Sequence, residues 1–424
     1  MRKRLRAAVL CASVALATAL SITSCGNDDE EPPASQNMLT IGALLSLTGS
    51  WSSLGQNSQA ALTFGVADVN AYLAGLGSPL RVALQVEDTK LDPNLALAEL
   101  QQLASAGITV VVGPQSSAEV AALKPFADSH GEVLISQGST AHSLAIAGDN
   151  ILRLCPDDVQ EGLAVSALML HDGKQVIIPM TRDDPGNQGL QGSAAAVLAP
   201  EGATVLPVLS YPADTGDFVP VVQALATQVE ASLAQHAAET VAVYLTAFDE
   251  ATAIFDLAAQ NSTLASVQWY GSDGVAGSAA LLGDTTAAAF AAHVVFPCPI
   301  FGLDPAAMDK WAPLSDRVHE QTGLVPDAFA LSTYDAVWVA TLATLAVGRV
   351  ADAATFQSAF TQTASTYFGA TGSMELNAAG DRSTGTFDFQ GICPRGTNYG
   401  WRSVGTFTPA GGSLGVIFPR PCAP

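Results

Sequence analysis

The sequence predicts an α/β protein of two Rossmann-like lobes, each built on a parallel sheet, joined by a hinge of three crossing strands. Three observations predict it. From Met38 onward, apolar β-branched runs alternate with helical repeats, the pattern of parallel strands covered on both faces. A second series of the same kind begins after "ILRLCPDD" (151–158), with no pure linker between the two. The body is also too long, at roughly 390 residues, for one hydrophobic core.

Taken in order, the chain opens with segments that stand outside the fold. Arg2, Lys3, Arg4 and Arg6 make a basic start, and "AAVLCASVALATAL" (7–20) is an apolar run too short to span a bilayer comfortably. Ile22, Thr23 and Ser24 then precede Cys25, the pattern of a bacterial lipoprotein signal over 1–24 with lipid attached to the Cys25 thiol. Gly26 follows the cysteine, where an aspartate often marks retention at the inner membrane, so the choice of membrane stays open. Residues 25–37 are acidic, contain proline and lack an apolar period, and read as a tether. The body is expected to be lipid-anchored and extracytoplasmic, in the periplasm or at the cell surface.

In the first series, "LTIGALLSL" (39–47) reads as a buried strand, 57–73 as a helix, "LRVALQVED" (80–88) as a strand and 94–107 as a helix closed by a glycine. "ITVVVG" (108–113) is a strand, 117–129 a helix and "EVLIS" (132–136) a strand. In the second series, strands are expected at 175–180, 204–210, 240–246, 266–271 and 291–296, with a long helix from about 217 to 236. Crossings near 152–156, 294–299 and 372–389 would divide the chain into a first lobe of 38–152 and 299–371 and a second of 153–298 and 372–424.

Charge and motifs exclude several classes. The signal holds four of the 17 basic residues and none of the 39 acids, leaving 13 against 39, a formal −26, which argues against nucleic acid as a partner. There is no HExxH, no phosphate loop and no GxGxxG after a strand, and the six histidines are scattered. Neither enzyme, cofactor nor metal is expected. Beyond Cys11 and Cys25, four cysteines remain, and an even number in an oxidising compartment suggests two disulfides with three possible connectivities. Because Cys155 and Cys298 fall on two of the crossings, a hinge disulfide joining them is the favoured pairing, with Cys393–Cys422 left for the tail.

Ligands of open α/β sheets bind outside the carboxyl ends of strands, so two facing sheets make the cleft between them the place to look. Six segments there, in order, resemble the periplasmic leucine/isoleucine/valine-binding protein family: "IGALLSLTGSWSSLGQ" (41–56), "VVGPQSSAEV" (111–120), "LISQGSTAHSL" (134–144), "RDDPGNQGLQG" (182–192), "YGSDGVAG" (270–277) and "DAFALSTYDAV" (327–337). The resemblance implies the type I periplasmic binding fold, a small-molecule ligand, an ABC permease as partner and a monomer.

An amino acid in such a cleft needs donors for its carboxylate and an acceptor for its ammonium. Ser117 matches the family's carboxylate-binding serine, with Ser116 beside it; Gly138 matches a position offering its N–H, and Thr140, after Ser139, one offering hydroxyl and N–H. Each serine alone is as well read as a helix N-cap. Asp273 matches an acidic residue that meets the ligand's amine, and a carboxylate enclosed on closure calls for a cation. Trp51, Leu54 and Phe329 are either pocket walls or ordinary core. Two aromatics usual in the family are missing: Gly186, followed by Asn187, stands for one, while Ala247 replaces the other or Phe248 displaces it. That suggests a wider or more polar pocket and removes the case for leucine. Asp183 and Asp184 either meet a basic ligand or are solvated loop acids. The function implied is capture of an amino acid or similar amine/carboxylate solute for a permease. Presentation of the closed form to a receptor or sensor kinase, or binding of amides or other small solutes, is the alternative.

Overall fold

The computed structural model describes residues 37–348, 352–409, 415–419 and 422; the expected signal, Cys25 as the expected lipidation residue, and the expected tether up to residue 36 lie outside them. Strands β1 (Met38–Leu45), β2 (Arg81–Asp88), β3 (Val110–Val112), β4 (Val133–Ser136) and β5 (Ile151–Arg153) form a parallel sheet in the order β2-β1-β3-β4-β5. Helices α1 (Ser52–Gly75), α2 (Pro93–Ser105) and α3 (Ser117–His130) connect them. Leu39, Ile41, Ala43 and Leu45 pack with Leu62, Val69 and Leu73 of α1, while Leu44, Val111 and Leu134 face Leu100, Leu103, Val120 and Leu123 of α2 and α3. Helix α2 starts where Asp92 accepts from Asn94 and Leu95 N–H and Pro93 needs no partner.

The second lobe runs α4 (Asp158–His171), β6 (Val176–Asp183), α5 (Pro185–Leu198), β7 (Thr204–Val205), β8 (Leu209–Pro212), α6 (Val219–Leu233), β9 (Val241–Thr246), α7 (Ala251–Ala258), β10 (Gln268–Tyr270), α8 (Ala279–Gly283) and α9 (Thr285–His293). Its sheet is parallel, with β9 between β10 and β6, and both β7 and β8 on the far side of β6. Two expectations need correction. The strand expected over 204–210 is two short pieces, because Pro207 has no N–H for the ladder. The strand expected at 291–296 is instead the end of α9 and a turn; the alanines there are better helix formers, and the strand begins at Cys298.

The remainder comprises β11 (Cys298–Phe301), α10 (Met308–Thr322), α11 (Ala328–Val347), α12 (Ala353–Ala364), the small pair β12 (Phe368–Gly369) and β13 (Gly372–Ser373), then β14 (Phe387–Arg395), β15 (Asn398–Thr408) and β16 (Val416–Pro419). Helix α11 is long and apolar enough to cross a membrane, but most of it is buried in the first lobe. It packs on α1 at Gly65, where a Cβ would stand 3.2 Å from Val337 Cβ. Strands β11, β14, β15 and β16 form an antiparallel sheet that the sequence reading did not include.

Three segments connect the lobes and bond to one another. Arg153 N–H donates to Gly380 O (2.9 Å), Arg382 N–H to Arg153 O (2.9 Å) and Gly302 N–H to Thr386 O (2.8 Å). A buried ion pair joins Arg153 Nε to Asp381 Oδ1 at 2.5 Å. The favoured hinge disulfide is absent: Cys155 and Cys298 are free thiols, whereas Cys393 and Cys422 are bonded, their Cα atoms 5.6 Å apart. Cys155 Sγ points at Ser139 O (3.4 Å), and Cys298 Sγ packs against Gly271 on the other lobe's sheet. Neighbouring crossings thus carry the two side chains to different places, and burial raises both thiol pKa values.

Candidate ligand-binding site

The first-lobe wall is made by two strand ends. Strand β3 stops at Gly113, joined to Pro114 by a cis peptide. Gly113 sits at φ 97°, and a Cβ there would lie 2.2 Å from Leu44 O, so only glycine makes the turn. Gln115, fully buried, then receives Ser46 N–H (3.2 Å) and donates to Trp51 O (3.0 Å), tying the loop after β1 to the start of α3. Ser116 closes a capping box: Glu119 N–H donates to its hydroxyl (3.3 Å), and its own hydroxyl donates to Glu119 Oε2 (2.6 Å). Its hydroxyl is therefore committed to the helix. Ser117, one residue on, has its hydroxyl 3.0 Å from that of Ser139 and accepts Ala141 N–H (3.1 Å).

The second strand end is 137–141, after β4. A Cβ on Gly138 would stand 2.9 Å from Gln115 O and 3.2 Å from the Trp51 ring, so the backbone itself lines the space. Arg153 Nη1 holds the carbonyls of Ser139 (3.2 Å) and Ala141 (2.7 Å) from behind. Ser139 N–H donates to Ser136 Oγ (3.0 Å) and Ala141 N–H to Ser117 Oγ, so the loop is held from both ends while Gly138 and Thr140 line the cleft.

The second-lobe wall is acidic. Asp273 follows β10, is 9% exposed, accepts Gly274 N–H at 2.7 Å and donates its own N–H to Glu161 Oε1 at 3.1 Å. Burial pushes its pKa up to about 7 against the pull of the Gly274 N–H, with the Asp327 and Asp184 carboxylates adding to the rise. Behind it, Asp158 and Glu161 on the first turn of α4 are fully buried, and burial raises both well above the ordinary carboxylate range. Asp184 caps α5 through Asn187 N–H (3.0 Å) and pairs with Arg182 (3.0 Å), so it is neither a solvated loop acid nor a free ligand for a basic group. Asp183 accepts from Gln188 Nε2 and is exposed.

The two walls touch. Trp51 and Phe248 stack tilted with ring centroids 4.9 Å apart, and Arg182 lies 5.3 Å over the Phe248 ring. Asp249, which the sequence reading did not single out, accepts Trp51 N–H (2.7 Å) and donates its own N–H to Ser50 Oγ (3.3 Å). Ala279 N–H donates to Ser53 Oγ (3.1 Å). The lobes are held shut by these contacts. Between them is a cavity of about 20 Å³ lined by Trp51, Ser116, Ser117, Gly138, Thr140, Gly186, Asn187, Leu190, Phe248 and Asp273. That is narrower than the loss of two aromatics suggested, because Phe248 and Trp51 turn inward; the volume suits about one water. Ser139 sits one layer behind, bonded to Ser117. Leu54 packs behind Gly138, and Phe329 lies away in the core, 5.9 Å from Phe301, so neither lines the space. Gln115, Arg153, Asp249, Asp158 and Glu161 carry no local signature; each acts through a partner distant in sequence.

Paired parallel-sheet lobes closing on a polar cleft define a two-lobe binding protein of the type I periplasmic fold. Residues 57–390 match the family described as receptor family ligand binding region, and the chain belongs to it. An uncharacterized protein of Methanocaldococcus jannaschii is 26% identical over 396 residues, covering 89% of this chain and 92% of that one. A chemotactic signal transduction system substrate-binding protein of Halobacterium salinarum is 32% identical over 143 residues, 32% of this chain and 34% of its own. Among solved structures, a leucine binding protein of Thermotoga maritima superimposes with a TM-score of 0.69 at 16% identity, covering 86% of this chain and 98% of that one. An ABC transporter solute binding protein of R. palustris, in complex with benzoate, does so with a TM-score of 0.69 at 17% identity, covering 91% and 98%.

Proposed function

We propose that this chain is an extracytoplasmic solute-binding protein, lipid-anchored through Cys25 and monomeric, that captures a small ligand bearing both a carboxylate and an amine and delivers it to an ABC permease. The observation that carries the reading is the opposition of Ser117 and the backbone of 138–140 to Asp273 across one enclosed space. Neutral donors suit a carboxylate and a buried acid suits an ammonium. The Ser117 hydroxyl, with the N–H groups of Gly138 and Thr140, would take the carboxylate, and Asp273 the amine. Only the closed form offers both, so a ligand shifts the open–closed equilibrium toward it. A ligand as large as an amino acid enters the open form and keeps Trp51 and Phe248 apart as the lobes return. The leucine- and benzoate-binding structural relatives support the carboxylate half of this reading.

A second reading, presentation of the closed form to a sensor, is favoured by the similarity of one third of the chain to a chemotactic substrate-binding protein. Both readings use the same closure.

A thermal-shift screen of the soluble body against the common amino acids and a matched set lacking the amine tests the site. A ligand at ~100 times its dissociation constant adds about 2.7 kcal/mol. Hits among amino acids that vanish in Asp273→Asn are expected; hits confined to amine-free acids would overturn the ammonium site.

A further inference from the structure

Behind the hinge lies a larger cavity of about 370 Å³, walled by the segments that cross between the lobes. Phe301 and Gly302 leave β11 there, Gln160 projects from α4, and Arg382, Thr384 and Thr386 belong to the returning crossing. Arg382 is the cationic group in this wall and is 3% exposed. Its Nη1 donates to Thr371 Oγ1 (2.8 Å) and Leu154 O (3.4 Å), its Nη2 to Thr371 O (2.5 Å), and the guanidinium lies 4.7 Å over the Phe301 ring. Its Nε–H meets no acceptor, and among the described residues no carboxylate stands within ion-pairing distance.

The acids nearest it hold other bonds, although the Asp335 and Asp304 carboxylates still favour its charge from a distance. Asp381, its sequence neighbour, is bound by Arg153, and Asp335 accepts Ala370 N–H, Thr371 N–H and the Thr371 hydroxyl. Asp304, the acid in the cavity lining, is partly exposed and accepts Ala306 N–H (2.8 Å). Burial lowers the Arg382 pKa only to about 10, so the group stays charged at neutral pH. A buried cation that lines a cavity, keeps a buried donor unmet and has no carboxylate in direct contact is an incompletely paired charge.

We propose that the hinge cavity is a second binding site, for a small organic monocarboxylate whose carboxylate pairs with Arg382. Its volume exceeds what an inorganic ion fills, and Phe301 and Pro409 offer apolar surface to a short hydrocarbon tail. Asp304 in the same lining disfavours a second negative charge. Because the walls are the crossings themselves, an acid bound there stabilises one setting of the hinge. By linkage it alters cleft affinity, and a cleft ligand alters the acid's affinity by the same factor.

The full chain, titrated calorimetrically with sodium butyrate in a background of sodium chloride at constant ionic strength, tests this. Saturable binding is expected with a dissociation constant of about 1 mM or tighter. Ser117→Ala, in the cleft, should leave that binding intact. Thr384→Glu puts a carboxylate in the anion's place from an exposed position, and should weaken butyrate about tenfold or more with an unchanged melt. Arg382→Gln should abolish it, though that variant also loses bonds to Thr371 and Leu154. The proposal is overturned if butyrate shows no saturable binding, if chloride displaces it on equal terms, or if Ser117→Ala abolishes binding while Thr384→Glu does not.

Discussion

The two walls of the cleft arise from the same local grammar, a strand end feeding a turn, yet they hold charge in opposite ways. On the first-lobe side, Ser117, Gly138 and Thr140 line the cleft without a net charge. On the second-lobe side, Asp273 stands in front of Asp158 and Glu161, all three buried. The neutral wall can satisfy itself, as the Ser117–Ser139 contact does. The acidic wall does so only in part, through Gly274 N–H on Asp273 and Asp273 N–H on Glu161, since an ionised carboxylate accepts but does not donate. Selectivity should therefore reside mainly in the second wall, and the first should contribute affinity common to any carboxylate.

The sharpest way to break that contrast is Asp273→Asn. For a ligand with an ammonium, affinity should fall about 100-fold or more, the cost of leaving a buried cation without its partner. An amine-free acid of the same shape should bind no worse. Calorimetry on both ligands reads the difference directly, and equal losses would show that the second wall does not discriminate by charge.

The next effect is on pH. With its pKa raised to about 7, Asp273 is protonated in the unliganded protein below that pH, while an ammonium requires the carboxylate. Binding should release a proton, and affinity for an amine should strengthen about tenfold per pH unit up to about 7, then level off. Stability of the unliganded protein runs the other way. A raised folded-state pKa contributes stability that is full below the ordinary carboxylate range and lost as pH rises through about 7. Melts without ligand should thus be higher at pH 5 than at pH 8 on this account, and calorimetry in two buffers of different ionisation enthalpy counts the released proton. Asp273→Asn should flatten the dependence of affinity.

This contrast also marks what the sequence could and could not convey. Strand ends with Gly113, Ser117, Gly138 and Asp273 were legible because each is a local grammar of glycine turns, caps and β-branched runs. Their supports were not. Arg153 meets Asp381 across 228 residues, and Asp249 reaches Trp51 across 198. The error over Cys155 and Cys298 has the same origin, since proximity of two crossings says nothing of which way a side chain on each points. The antiparallel tail does carry a local signature: Arg395 pairs with Asn398 around Gly396-Thr397, with Gly396 at φ 62°, a two-residue hairpin turn. Parallel alternation earlier in the chain made a different sheet type easy to miss.

The smallest effects separate two adjacent serines on the neutral wall. Ser117 faces the cavity with a hydroxyl that can turn from Ser139 to a ligand, so Ser117→Ala should cost any carboxylate bound in the cleft about tenfold, one hydrogen bond to a charged group. The loss should be the same with or without an amine and independent of pH between 5 and 8. Ser116 lines the same space but has its hydroxyl bound to Glu119, so Ser116→Ala should leave affinity nearly unchanged. It should instead lower stability by about 1 kcal/mol, as loss of an N-cap does, and the removed bond should leave Glu119 still harder to ionise in its buried position. Denaturant melts and calorimetry on the two variants give a crossed pattern if the assignment holds: affinity lost in one, stability in the other. Were Ser116→Ala the one to lose affinity, the capping box would have to open on binding, and the wall described as neutral would then expose a carboxylate of its own.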